Sequence, residues 1–113
     1  PAGIRLTADK SILLSNGRDL SYVSVALVDA EGNVNPVADD LVTFDVSGEG
    51  TLVAVANSKP MSTESFKKTY RKAWRGRCLA ILKSGKKAGT IHLKVQVKGL
   101  PSEEILIRTV KPD

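Results

Sequence analysis

The chain has 113 residues, of which 42% are hydrophobic and 26% are charged, and its formal net charge is +5. This length and composition fit one globular domain and exclude a disordered chain or a coiled coil. No apolar run approaches the ~20 residues that a membrane-spanning helix needs. We therefore predict a single domain over residues 1–113 without membrane insertion. Because the chain opens with PAGIRL and no Met, we expect it to be a piece of a longer protein.

The charge is divided unevenly along the chain. Residues 1–64 carry nine acidic and four basic side chains, whereas residues 65–102 carry eleven basic side chains and no acidic one. Such asymmetry indicates either a polyanion-binding surface or lysines that keep the faces and edges of a sheet soluble. We favour the second interpretation and expect no nucleic-acid partner.

Apolar and polar residues alternate with a period of two through most of the chain, which predicts β-strands. In chain order, the segments with this pattern or with a short apolar run are GIRLTAD, YVSVALVD, VTFDV, TLVAVAN, RCLAILK, TIHLKVQVK and EILIRTV. In TIHLKVQVK the alternation is regular, and it predicts that His92 points outward. In TLVAVAN we expect Leu52 and Ala54 on one face and Val53 and Val55 on the other. This run is apolar enough to be buried on both faces.

Turn-forming residues separate these segments at short intervals. The turn signals are SNGRD, DAEGNVNP, SGEG, SGKKAG and KGLPS. Gly17, Gly48 and Gly50 supply backbone positions that tolerate a positive φ. Seven to eight short strands at this spacing, with little or no helix, predict an all-β fold built as an antiparallel β-sandwich.

The most basic stretch, SFKKTYRKAWRGR at residues 65–77, has two interpretations. A helix would align four side chains on one apolar stripe, opposite a basic face suited to a polyanion or a membrane surface. These four are Phe66, Tyr70, Ala73 and Trp74. However, four cations would lie in the first two turns, where the helix dipole favours acids. The helix would also run directly into the strand at RCLAILK. We therefore predict a loop.

A longer string around this stretch, NSKPMSTESFKKTYRKAWRGRCLAILKSG, resembles the C-terminal immunoglobulin-like module of bacterial glycoside hydrolase family two enzymes of the beta-galactosidase type. That module reads N-G-D-P-x-S-x-E-x-F, then R-K-A-F-x-G, then an apolar strand. The matching positions are Asn57, Pro60, Ser62, Glu64, Phe66, Arg71, Lys72, Ala73 and Gly76, with Trp74 at the aromatic position. The chain departs from the pattern at Ser58 and Lys59. The resemblance covers nearly the whole chain and implies an immunoglobulin-like sandwich.

The segment between the two strands on either side of this motif is long, and a long ordered loop needs anchors. We predict that Phe66 and Trp74 cover the open end of the sandwich. We expect Arg71 to donate to loop carbonyls or to the Glu64 carboxylate. The residues of this predicted clasp are Glu64, Phe66, Arg71, Ala73, Trp74 and Gly76. The alternative is a ligand site in which Tyr70 and Trp74 contact a sugar ring.

Residues with catalytic chemistry form no recognisable set in the sequence. Glycoside hydrolysis needs two spaced carboxyl groups, whereas the acids here stand mostly in turns or, like Asp39 and Asp40, side by side. His92 is the single histidine, and Cys78 lies in an apolar run where we expect it to be buried. We therefore expect no catalytic, metal-binding or cofactor-binding residue, and no cofactor.

The resemblance implies a non-catalytic accessory domain of a beta-galactosidase-type glycoside hydrolase, with a structural or spacing role. Its expected partners are the other domains of the parent chain, with a glycan as a further candidate. Its expected location is the periplasm or the outside of the cell. Two alternatives stay open, namely a carbohydrate-binding or adhesin-type module and a polyanion-binding domain.

Overall fold

The structure is a computed structural model. It describes residues 2–34, 41–57, 70–73 and 76–112. At residues 56–57 and 70–72 it describes the backbone alone. Within these ranges the chain forms strands and turns and contains no helix. Consequently, the described part of the chain holds no helix that is long and apolar enough to cross a membrane.

Nine strands lie in the described ranges. They are β1 (Gly3–Ala8), β2 (Ile12–Leu14), β3 (Leu20–Val28), β4 (Leu41–Gly48), β5 (Gly50–Asn57), β6 (Tyr70–Lys72), β7 (Arg77–Ser84), β8 (Gly89–Val97) and β9 (Glu103–Val110). β2 and β6 have three residues each, and the other strands have six or more. The predicted all-β fold is confirmed, and the two three-residue strands add to the seven long ones.

The strands form two sheets that pack face to face as a sandwich. Sheet A has the order β1-β3-β7-β5, and sheet B has the order β2-β9-β8-β4-β6. Neighbouring strands are antiparallel, as predicted, except for β2 and β9. These two run parallel, in a register from Ile12↔Arg108 to Leu14↔Val110.

The inward-facing side chains of the two sheets form one core that is almost entirely aliphatic. Its largest fully buried members are Leu13, Leu27, Leu82, Ile91, Leu93, Ile107, Val23, Val25, Val42, Val55 and Val95. Burying each such side chain stabilises the fold by roughly 1.5–3 kcal/mol. Cys78 is the single cysteine of the sequence and is buried, as predicted, so no internal disulfide joins the sheets.

The alternation predicted for β8 is confirmed along the whole strand. Ile91, Leu93 and Val95 are fully buried, and Val97 is 4% exposed. The residues between them are less buried and occupy the outer face of sheet B, where His92 lies. The regular sequence pattern of this strand therefore fixes which of its faces packs against the core.

A bulge in β5 reverses the alternation that the sequence predicts there. Val53 is an extra residue in the pairing of β5 with β7, between Leu52 and Ala54. As a result Val55 lies opposite Ala80 on the inner face, where it is fully buried. The predicted placement of Ala54 on the same face as Leu52, with Val55 on the opposite face, is wrong, because one extra residue shifts a period-two pattern by one position.

The chain passes from sheet B to sheet A through one residue, Glu49, between β4 and β5. Gly48 has a φ of +92°, and a Cβ there would overlap the carbonyl oxygen of Thr90. A Cβ on Gly50 would overlap the Ile91 side chain. Neither position accepts a side chain without movement of its neighbours, which explains the SGEG sequence at this corner.

We predict that Gly48→Ala lowers the free energy of unfolding by about 3 kcal/mol or more. The added methyl group would meet a backbone carbonyl oxygen, which belongs to a paired strand and moves only with the sheet. The alanine would also have to keep a positive φ, which an L-residue adopts at a cost. Urea unfolding of the two proteins measures the difference.

Gly32→Ala is the matched control for this prediction. Gly32 has a φ of +87°, but beyond its two chain neighbours no atom of the described residues lies within 4 Å of the position that a Cβ would take. The control should therefore cost only the ~1–2 kcal/mol of an alanine at positive φ. Equal losses in the two variants would contradict the steric explanation of the corner.

Candidate functional site

The middle of the basic stretch lies on the edge of sheet B as strand β6. Its backbone pairs with β4 in the register Leu41↔Lys72, Val42↔Arg71 and Thr43↔Tyr70. The extended backbone of Tyr70–Lys72 excludes a helix through these three residues. The loop prediction is correct in rejecting a helix there, and it is incomplete because these residues form an edge strand.

Ala73 and Gly76 fix the chain between β6 and β7. Ala73 is 2% exposed and belongs to the core. Gly76 is buried and has a φ of +78°, and its carbonyl oxygen accepts a hydrogen bond of 2.8 Å from the Leu27 amide of β3. The segment is therefore attached to the core next to sheet B by Ala73 and to the backbone of sheet A by Gly76.

Three residues of the predicted clasp lie outside the described part of the chain. They are Glu64, Phe66 and Trp74. For Tyr70 and Arg71 the backbone alone is described. Asn57 at the end of β5 pairs with Cys78 at the start of β7, so the segment between these strands leaves and rejoins sheet A at the same end. The clasp contacts and the alternative sugar contact through Tyr70 and Trp74 stay predictions.

The aspartates that follow strands β1 and β3, Asp9 and Asp29, accept hydrogen bonds from backbone amides. The Asp29 carboxylate accepts from the amides of Glu31 at 2.9 Å and Asn33 at 3.0 Å. The Asp9 carboxylate accepts from the Tyr22 amide at 2.8 Å. Such bonds hold turns and strand ends in place. The adjacent acids that lie outside the described residues are Asp39 and Asp40.

Asp19 closes the turn between β2 and β3. One carboxylate oxygen accepts a bond of 2.9 Å from the Leu14 amide. The other accepts one of 3.1 Å from the Leu20 amide and lies 3.2 Å from the Lys10 ammonium nitrogen. The hydrogen bond from the Leu14 amide lowers the pKa of Asp19 below its ordinary value of 3.8, and the hydrogen bond and positive charge of Lys10 act in the same direction. Asn16 holds the same turn by accepting from the Asp19 amide at 2.9 Å.

His92 lies on the outer face of sheet B, as predicted, with its Nε2 atom 2.6 Å from the Oε2 atom of Glu104 on β9. Ser47 of β4 lies opposite His92 in the register, so the side-chain types of a hydrolytic triad share one face. The side chains of His92 and Glu104 are 42% and 48% exposed. A triad instead uses a buried carboxylate beside a substrate cleft. This grouping therefore has the geometry of a surface contact.

The basic side chains of β7, β8 and the following turns are spread over both faces and both ends of the sandwich. By register, Arg77 and Lys83 lie on the outer face of sheet A, and Lys94 lies on that of sheet B. Lys87 lies in the β7–β8 turn and Lys98 in the β8–β9 turn. These described cations of residues 77–98 do not share one surface, which weakens the polyanion-binding alternative for that part of the chain.

An open pocket of about 290 Å³ lies at the corner between β4 and β5. The residues that line it are Phe44, Asp45, Val46, Gly50, Thr51 and Leu52. Asp45 is the single charged group in this lining, and the volume is at the lower limit of ordinary ligand pockets. In the described part of the chain, no three His, Cys, Asp or Glu side chains are placed to hold a metal ion.

The chain is similar to one family and to named beta-galactosidases over most of its length. The model of the family described as Glycoside hydrolase family 2 C-terminal domain 5 matches residues 4–106. Beta-galactosidase BoGH2A of Bacteroides ovatus is 45% identical over 100 residues, which are 88% of this chain and 12% of that protein. A beta-galactosidase of Thermoanaerobacter pseudethanolicus is 30% identical over 96 residues, which are 85% of this chain and 11% of that protein.

A solved structure gives the same result at the level of the backbone. The glycosyl hydrolase family 2 member from Bacteroides cellulosilyticus matches with a TM-score of 0.94 at 43% sequence identity. The match covers 97% of this chain and 14% of that chain. The chain thus spans only about an eighth of the length of the curated relatives, at 12% and 11%. Most of each relative lies outside the matching region.

We predict that Ala73→Asp strongly destabilises the domain, by about 3 kcal/mol or more, because it places an unpaired carboxylate in the core. Urea unfolding at neutral pH measures the loss. Ala30→Asp, in an exposed turn, is the matched control and should change the stability by no more than about 0.5 kcal/mol. Similar losses in both variants would mean that the Ala73 anchor does not hold the segment to the core.

We predict that Asp19→Asn destabilises the domain at neutral pH and that this difference shrinks in acid. A carboxyl group whose pKa is lowered by folding stabilises the native state above its unfolded pKa. That stabilisation is lost as the pH falls through the lower folded pKa. The difference between the two proteins should therefore be full at pH 7 and decline below the ordinary value of 3.8.

Asn16→Ala is the control for the pH dependence, because it weakens the same turn without removing a titrating group. Its cost should be the same at neutral and acid pH. Urea unfolding at several pH values measures both variants. A loss from Asp19→Asn that stays constant with pH would contradict the assigned role of the Asp19 carboxylate.

Proposed function

Since the chain belongs to the Glycoside hydrolase family 2 C-terminal domain 5 family, we propose that it is a non-catalytic, immunoglobulin-like accessory domain of a beta-galactosidase-type enzyme. Its role in that enzyme is structural, either to pack against neighbouring domains or to space the catalytic domain. One observation carries the proposal: nearly the whole chain matches a region that makes up 12% of a beta-galactosidase. Both named relatives are beta-galactosidases, which supports that activity for the parent chain.

The positions of the described acids support a non-catalytic role. Glycosidases place two carboxyl groups about 5–10 Å apart, on either side of the scissile bond. The carboxylates of Asp19 and Asp29 instead accept hydrogen bonds from backbone amides that flank or belong to their own turns. The Asp9 carboxylate accepts one from the Tyr22 amide of the neighbouring strand β3. Glu104 contacts His92 on an open sheet face. The pocket between β4 and β5 contains a single acid, Asp45.

The parent enzyme works in the periplasm or outside the cell under this proposal. The other domains of the same polypeptide are the partners of this domain, and a beta-galactoside is the substrate of the polypeptide as a whole. This domain needs neither a cofactor nor a nucleic acid for such a role.

Two variants of the full-length polypeptide test the proposal through catalysis. We expect the polypeptide to hydrolyse an aryl beta-galactoside, and we expect Asp45→Asn and Glu104→Gln to keep kcat within about twofold. Removal of a catalytic carboxyl group costs roughly 100-fold or more. A loss of that size in either variant, with an unchanged thermal transition, would place catalysis in this domain and refute the proposal.

Deletion of residues 1–113 from the polypeptide tests the structural role. The truncated enzyme should lose activity faster on warming than the full-length enzyme, because the neighbouring domains lose a packing partner. An unchanged rate of inactivation would rule out packing against the rest of the enzyme.

The carbohydrate-binding alternative predicts a different result. In that case the full-length enzyme would bind an insoluble galactan, and either Tyr70→Ala or Trp74→Ala would abolish this binding at any salt concentration. The kcat on a soluble substrate would stay unchanged. Retention of both variants on the galactan, to the same extent as the unmodified enzyme, is the outcome that the structural proposal requires.

A further inference from the structure

Three of the five large apolar side chains that are exposed in the described residues lie together on one face. Ile12 and Leu14 belong to β2, and Leu106 belongs to the neighbouring strand β9, with exposures of 53%, 44% and 58%. Leu13, between Ile12 and Leu14, is fully buried, and so is Ile107, which follows Leu106. Because successive side chains of a strand point to opposite faces, Ile12, Leu14 and Leu106 lie on the outer face of sheet B. We call this group the β2–β9 patch.

Polar groups border the β2–β9 patch on β8 and β9. Arg108 lies opposite Ile12 in the register of β2 and β9. His92 lies opposite Leu106 on β8 and contacts Glu104. Single exposed leucines are ordinary on protein surfaces. A cluster with a polar rim is the usual anatomy of a contact surface.

We infer that the β2–β9 patch is the surface through which this domain packs against another domain of the same polypeptide, an inference that rests on the proposed function. The matching region is only 12–14% of the relatives' chains. Most of such a polypeptide therefore lies outside this domain and is available to cover the patch.

The size of the patch favours a partner within the chain over a separate protein. Contacts between domains of one chain bury roughly 600–1,500 Å² in total. A stable complex of separate proteins buries about 800 Å² on each partner, which exceeds what three side chains and their rim supply. Covalent linkage raises the effective concentration of the partner to about the millimolar range, so a small patch is sufficient.

The test measures how fast single introduced thiols react with a maleimide in the native full-length polypeptide. Ile12→Cys and Leu106→Cys probe the β2–β9 patch. Leu41→Cys is the matched control, because Leu41 is 50% exposed on the same sheet but at its other end. Tyr22→Cys probes the outer face of sheet A, where Tyr22 is 41% exposed. Mass spectrometry of the digested protein measures the labelling rate at each site. Each native rate is divided by the rate of the same site in urea, which removes differences in intrinsic thiol reactivity.

Within this domain alone all four sites are exposed, so similar rates are expected unless another surface covers one of them. We expect the thiols at positions 12 and 106 to react at least about tenfold more slowly than those at 41 and 22, which corresponds to roughly 1.4 kcal/mol of docking free energy. The ratio should not change with protein concentration. A second substitution, Leu106→Lys, should restore fast labelling of Ile12→Cys.

Three results would overturn the inference. Equal rates at all four positions would show that the patch is open. Slow labelling at position 22 alone would show that sheet A is the covered face. Slow labelling that disappears on dilution would show that a second copy, and not another domain of the chain, covers the patch. None of these three labelling results would change the activity of the full-length variants or the inactivation rate of the truncated enzyme. A failure of this inference can therefore be distinguished from a failure of the proposed function.

Discussion

The aliphatic layer between the two sheets is the interaction on which the rest of the structure depends. No internal disulfide joins the sheets, because the sequence has a single cysteine. The layer therefore depends on the Val, Leu and Ile side chains that occupy most of the inward-facing strand positions. The corner between β4 and β5 follows from the same constraint. The chain must change sheets at Glu49 while the adjacent Ile91 stays fully buried. Glycines at 48 and 50 allow this, because any side chain there would displace the core or the β8 backbone.

The parts of the fold that could be predicted are those with a strict period of two. β8 alternates apolar and polar residues, so a single register buries its apolar face, and His92 could be assigned to the outside. The sequence TLVAVAN is apolar on both faces, and its pattern is compatible with either register. Pairing with β7 selects the register through the bulge at Val53, and this contact between distant segments leaves no local signal. The strands β2 and β6 are too short to show a period.

The attachment points of the basic stretch were predictable only through the family resemblance. Ala73 and Gly76 match the motif, and the structure places Ala73 in the core and bonds Gly76 to β3. The role of Asp19 was missed, although the SNGRD string was recognised as a turn. Its carboxylate reaches back to the Leu14 amide, and in the sequence it resembles every other acid in a turn. The one usable signal is its place three residues after Asn16, whose side chain accepts from the Asp19 amide.

The two outer faces of the sandwich differ in how their apolar residues are covered. On sheet A, Ala26 is 6% exposed because it lies between Arg5 and Arg77 on the neighbouring strands, and long basic side chains cover apolar surface with their methylene groups. Arg5 is also held in place by a bond of 2.9 Å to the Gly32 carbonyl oxygen. On sheet B, the cross-strand neighbour of Leu106 is His92, whose Nε2 atom contacts the Glu104 carboxylate. Among the described residues, the outer face of sheet A thus exposes one large apolar side chain, Tyr22, whereas that of sheet B exposes Ile12, Leu14, Leu41 and Leu106. Under the proposed function, this difference would give the domain a defined orientation against the rest of its polypeptide.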